Sequence, residues 1–167
     1  RTAHGWPWTA ISTGYNTPEN AWGFGADFFA FDPASGRVRW HYRESSPADA
    51  RAVCLGDGCI FAFRFGEFLT SIDTKTGKPR WRKTPQSDPA LFATIGQSLP
   101  RQGWQTNWRT AAYLKCGHGA LFFAGPQLGK LLVLSADDGR VLWQDAYDNF
   151  QLILRDDALY GIGGGKW

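Results

Sequence analysis

The chain has 167 residues, 43% hydrophobic and 20% charged, with a net charge of only +3, enough for one sizeable core. No apolar run approaches the roughly 18 residues a membrane helix needs, and the basic side chains are spread rather than gathered into the stripe of a nucleic-acid module. Transmembrane, disordered, collagen, coiled-coil and nucleic-acid-binding classes are set aside. Twenty glycines, about 12% against the usual roughly 7%, instead require many tight turns, and nine Trp and twelve Phe supply large flat packing surfaces.

In chain order, the first stretch carries Trp6-Pro7-Trp8 and Trp22, with Gly14–Asn20 reading as a long loop. Ala30–Trp40 (AFDPASGRVRW) is then the first of three segments that align without gaps. Ser71–Trp81 (SIDTKTGKPRW) and Val133–Trp143 (VLSADDGRVLW) are the others. Each alternates apolar residues, enters a polar turn ending at Gly36, Gly77 or Gly139, and returns four residues later to a Trp. An Asp before the tip can accept backbone N–H groups as an Asx turn, and Gly supplies the left-handed conformation. The glycines lie 41 and 62 residues apart. A period near 40 built of short strands reads as a β-propeller, with extra residues in one unit.

A second element recurs ahead of the later motifs. Asp57-Gly58, His118-Gly119 and Asp156-Asp157 each precede an apolar strand, as hairpin turns do. Each unit therefore reads as four antiparallel strands. The extra residues fall between Trp81 and Gly119, and the units run over about 1–43, 44–83, 84–146 (insertion at about 84–116) and 147–167, the last partial. Closed propellers take four to eight blades, so three and a part imply an incomplete propeller; the start at Arg1, without Met, agrees with a piece of a longer protein.

Cys54 and Cys59 bracket Leu55–Gly58. A four-residue loop lets them face each other and bond; a two-residue Asp57-Gly58 turn sets Cys54 opposite Phe61 and forbids the bond. The second register has the stronger turn signal. Cys116 has no evident partner. His4, His41 and His118 hold unrelated repeat positions without carboxylates at metal spacing, so no metal site is expected. Arg37, Arg39 and Arg43, then Lys78, Arg80, Arg82 and Lys83, then Arg140, mark charged outer strands that discourage edge pairing, or a seat for an anionic partner. The insertion carries Arg101, Trp104, Asn107, Trp108 and Arg109, a composition suited to gripping a protein or carbohydrate ligand, or to packing as its own small core.

The pattern A-x-D-x-x-T-G-x-x-x-W resembles the tryptophan-docking motif of quinoprotein propellers. On that resemblance Asp32, Gly36 and Trp40, then Asp73, Gly77 and Trp81, then Gly139 and Trp143, are structural docking residues. The third copy departs from it, with Val133, Ser135 and Asp138 in place of Ala, Asp and Thr. The wider chain is similar to secreted bacterial propeller proteins of the kind found in planctomycetes. The resemblance to this pyrroloquinoline-quinone-like superfamily implies two readings. In its BamB-type scaffold branch, the blades are an exported, periplasmic or secreted binding surface without cofactor, whose partners include the remaining blades of the same propeller. In its oxidoreductase branch, they would be part of a dehydrogenase using the quinone and calcium, its catalytic residues mostly elsewhere. The chain has neither the adjacent-cysteine pair of the alcohol-dehydrogenase branch nor a haem-binding C-x-x-C-H. No catalytic residue is assigned, and whether the whole protein is an enzyme stays open at this point.

Overall fold

The computed structural model describes residues 25–48, 52–95, 113–124, 130–146 and 151–162. They form four antiparallel sheets taken in chain order. The first pairs β1 (Asp27–Phe31) with β2 (Val38–Arg43), and the second is a meander of β3 (Val53–Gly56), β4 (Cys59–Arg64), β5 (Phe68–Asp73) and β6 (Pro79–Lys83). After one short helix, α1 (Pro89–Ile95), comes the third meander of β7 (Tyr113–Gly117), β8 (Ala120–Ala124), β9 (Leu131–Ser135) and β10 (Val141–Asp145). The hairpin of β11 (Gln151–Leu154) and β12 (Leu159–Ile162) closes the series. The expected all-β propeller is what the chain adopts: two whole four-stranded blades, flanked by the last two strands of one and the first two of another. The first strands of successive sheets touch, β3 against β7 and β7 against β11.

Strand burial explains this order. The middle strands β4, β5 and β9 are buried along most of their length, whereas β6 and β10, the outer strands, are largely exposed. A strand covered on both faces must be apolar throughout, as Phe61-Ala62-Phe63 and Leu131–Leu134 are. The main core lies between the second and third sheets and joins Phe61, Phe63 and Leu69 to Leu121, Phe123, Leu132 and Leu134. Phe63 meets both Phe65 and Phe123 edge-on, at centroid distances of 4.8 and 4.6 Å. Each such ring removed from water contributes about 2–3 kcal/mol, so this interface rather than strand propensity holds neighbouring blades together.

The hairpin turns take the two-residue form. Asp57 and Gly58 have φ of 50° and 72°, and His118 and Gly119 have 58° and 72°, the two left-handed residues of a type I′ turn. Gly56 therefore pairs with Cys59 and Cys54 with Phe61, so Cys54 and Cys59 do not oppose each other and all three cysteines are free thiols. Helix α1, inside the insertion, was not foreseen in the sequence. Asp88 caps it by accepting the Leu91 N–H at 3.2 Å, Pro89 starts it, and Leu91, Phe92 and Ile95 add a buried face to the main core.

Candidate functional site

The three repeated turns share one backbone frame. The N–H groups of Gly36, Gly77 and Gly139 each donate to the carbonyl four residues back, at 2.8, 2.8 and 2.9 Å. In the first two, one carboxylate organises the loop. Asp73 Oδ1 accepts the N–H groups of Lys75 and Thr76, both at 2.9 Å, and the Thr76 hydroxyl at 3.1 Å. Asp32 does the same with Ala34, Ser35 and the Ser35 hydroxyl. The second oxygen takes an arginine from the returning strand, Arg80 at 2.8 Å or Arg39. Arg80 foremost, then the turn's N–H groups, hold the Asp73 carboxyl at about 2 against an ordinary 3.8, and Arg39 depresses Asp32 in the same direction.

The third turn exchanges these roles. Ser135 stands where the others have Asp, and Asp138 where they have a hydroxyl residue. The Ser135 hydroxyl accepts the Asp137 N–H at 3.3 Å, and the Asp138 carboxylate accepts the Arg140 N–H at 3.1 Å. Hydroxyl and carboxylate have traded places.

The second and third turns each meet the tryptophan of the preceding sheet. Trp40 Nε1 donates to the Thr74 carbonyl at 2.8 Å, and its ring lies over Gly77 so closely that a Cβ there would stand 2.6–2.7 Å from the indole. Trp81 Nε1 donates to the Ala136 carbonyl at 2.9 Å, and a Cβ on Gly139 would stand 3.0 Å from its ring. In both cases the accepting carbonyl lies three residues before the glycine. Trp143 is 48% exposed and edges a cleft of about 360 Å³ shared with Leu131, Asp145, Leu152 and Leu159. At the opposite end of the series, nothing described lies within 4 Å of a Cβ on Gly36.

Charge reinforces the junction between the first two sheets. Glu44, 3% exposed, accepts the Tyr42 hydroxyl at 2.7 Å and Arg82 Nε at 3.1 Å, and Arg82 crosses the Phe68 ring at 5.5 Å. Burial, then the Glu44 carboxylate, pushes the Tyr42 hydroxyl up to about 12. Other basic strand residues also have acidic partners, Arg43 on Asp27 and Lys83 on Asp88, each within 2.7 Å. Sequence reasoning missed Glu44, because its arginine lies in the next sheet. It also missed that Cys54 and Cys116 come together across two blades. Aligning the repeats by their hairpin turns offers that signal: Cys54 is four residues before Gly58 and Cys116 three before Gly119, so they occupy opposite faces of neighbouring first strands. Arg101, Trp104, Asn107, Trp108 and Arg109, and likewise His4, lie outside the described residues.

Residues 25–91 match the family described as outer membrane protein assembly factor BamB. That match covers the second sheet and the hairpin before it. The outer membrane protein assembly factor BamB of Burkholderia pseudomallei (strain K96243) is 27% identical over 143 residues, 83% of this chain and 34% of its own length. The crystal structure of BamB from Moraxella catarrhalis superposes with a TM-score of 0.54 at 14% identity, covering 83% of this chain and 37% of that one. The computationally designed Ika8 protein superposes at 0.53 with 12% identity, over 81% and 36% of the two chains. At these identities the structures speak for the fold alone. The chain spans about a third of the length of the BamB proteins it matches.

A quinone site of the dehydrogenase kind would need oxygen ligands for calcium. Among the described residues no three His, Cys, Asp or Glu side chains converge in a way that could hold a metal ion. Asp27, Asp32, Asp73, Asp88 and Glu44 are each spent on a basic partner. These residues do not fit the metal. Among the described residues, too, no helix is long and apolar enough to cross a membrane.

Proposed function

We propose that this chain is a segment of an exported bacterial propeller, periplasmic or secreted, that acts as a binding scaffold rather than as a catalyst. The blade units are those about residues 1–43, 44–83, 84–146 and 147–167, and the Trp-on-turn contacts are the joints that keep them in register. One observation carries the reading: among the described residues, neighbouring sheets are locked to each other by polar contacts at Trp40–Thr74, Trp81–Ala136 and Glu44–Arg82. Such a frame presents its loops as a rigid surface. The relative named as an outer membrane protein assembly factor supports a partner among proteins handled at that membrane. The insertion residues Arg101, Trp104, Asn107, Trp108 and Arg109 are the proposed contact segment, for a protein or a carbohydrate.

The test is a titration of the intact protein with pyrroloquinoline quinone and calcium, followed by dye-linked alcohol and sugar oxidation. The scaffold reading expects neither saturable quinone binding nor turnover. Binding with turnover would replace it by a quinoprotein oxidoreductase. In parallel, outer-membrane proteins and surface glycans are scored for binding to the wild type and to the Trp104→Ala/Trp108→Ala variant. Undiminished binding by the variant would remove the insertion as the contact segment.

A further inference from the structure

The direction each cysteine faces follows from strand register. Cys54 stands opposite Phe61 in the second sheet, and Cys116 opposite Leu121 in the third. Directly paired residues project to one side of a sheet, and Phe61 and Leu121 both belong to the core between these two sheets. The two thiols therefore enter the same gap from opposite walls. Both pack against that core, half-buried, at the end where β3 touches β7. Gly56, two residues beyond Cys54 and on its face, leaves the room: a Cβ there would stand 2.8 Å from Cys116 Sγ and 3.0 Å from its carbonyl oxygen. The two thiols are thus neighbours across the gap.

We propose that Cys54 and Cys116 form a redox-modifiable dithiol, which a small disulfide donor of the glutathione class converts into a covalent bond between the second and third blades. The step balances by thiol–disulfide exchange. The Cys116 thiolate attacks one donor sulfur, breaking the donor S–S bond and releasing one donor thiolate. Cys54 gives its proton to solvent and attacks Cys116 Sγ, forming the protein S–S bond and expelling the second donor thiolate. Two protein thiols lose two electrons and two protons; the donor disulfide takes up both electrons and ends as two thiols. Cys116 leads because the neighbouring Cys54 thiol lowers its pKa, whereas Cys116 and burial hold Cys54 up. Cys59 shares the core but is 1% exposed, out of reach of a donor in solution.

The intact protein, reduced and desalted, is equilibrated with a series of oxidised-to-reduced glutathione ratios, quenched in acid, alkylated and mapped by mass spectrometry. The expected result is one linked peptide pair, Cys54 to Cys116, lacking two hydrogens, with Cys59 alkylated throughout. Cys59→Ser keeps the link. Cys54→Ser abolishes it and accumulates glutathione on Cys116, and Cys116→Ser abolishes it without trapping glutathione on Cys54. Separate alkylation of Cys54 and Cys116 at every ratio overturns the proposal. So does a link that includes Cys59, or glutathione that stays on wild-type Cys116. The wild-type map decides alone if a serine variant fails to fold.

Discussion

Replacing Gly77 by alanine isolates the tryptophan joint from the turn that carries it. Gly36 and Gly77 close equivalent turns at φ of 68° and 69°, so alanine at either position meets the same left-handed strain, about 1–2 kcal/mol. They differ in what lies above. Around Gly36 nothing described comes within 4 Å, whereas a methyl on Gly77 would stand 2.6 Å from the Trp40 ring and must push the indole off its seat. Overpacking of this kind costs a further ~1–3 kcal/mol. Gly36→Ala should therefore cost about 1–2 kcal/mol and Gly77→Ala about 2–5. In a Trp40→Ala background the seat is empty, and Gly77→Ala should fall back to the Gly36→Ala cost. The cycle then shows a coupling of about 1–3 kcal/mol. Urea unfolding measures each variant, and an unchanged m confirms that stability alone has moved. Equal losses for Gly36→Ala and Gly77→Ala, or a Gly77→Ala cost undiminished without Trp40, would refute the reasoning.

The buried carboxylate makes a second test. Arg82→Ala strands Glu44 in a site where it is 3% exposed and should cost about 3 kcal/mol in urea unfolding, and Glu44→Gln with Arg82→Met should recover most of it; no recovery would mean the pair is not what is being lost. Acid sensitivity follows from the turns. Asp73 titrates at about 2 when folded against 3.8 otherwise, and Asp32, Asp88 and Asp138 are depressed too, so the folded state binds these protons less readily than the unfolded one. The stability they contribute is complete above about pH 4 and is lost as pH falls through the folded values, which a series of urea midpoints read against pH should show and Asp73→Asn should weaken. In the third turn, Ser135→Asp alone adds a carboxylate to a loop that already holds Asp137 and Asp138 and should lower the thermal midpoint, whereas adding Asp138→Thr restores the arrangement of the first two turns and should return it. A loss of about 1 kcal/mol in the single variant, absent in the double, is the expected pattern.

What could be read from the residues was local and repeated. The turn and its return strand need one glycine at positive φ, one acceptor before it and a Trp four residues later, all within eleven residues, so three copies sufficed to reveal the blade. The hairpin register was equally accessible, because Asp57-Gly58 specifies a two-residue turn through its own backbone preference. Contacts between blades were harder. Glu44 and Arg82 lie 38 residues apart, and nothing in either segment tells a buried carboxylate from a solvated one. The cysteines show the same limit from the other side: proximity in sequence suggested Cys54 with Cys59, but a two-residue turn sets them out of register. The partner of Cys54 comes instead from the equivalent strand of the next repeat.

That contrast gives the joint its meaning. Both indole N–H contacts run in one direction, from the outer strand of one sheet to the turn of the sheet that follows it: Trp40 to the Thr74–Gly77 turn, Trp81 to the Ala136–Gly139 turn. The donor is an indole N–H and the acceptor a carbonyl fixed by the glycine's left-handed conformation, so the contact tolerates change in the rest of the turn. This accounts for the third copy, where Asp and hydroxyl residue have exchanged places yet the Ala136 carbonyl still receives Trp81. Such a joint depends on backbone shape and on the absence of a Cβ, not on the position of the carboxylate. The Asp and the hydroxyl residue are thus the positions that the three turns exchange, while Gly and Trp recur in all three.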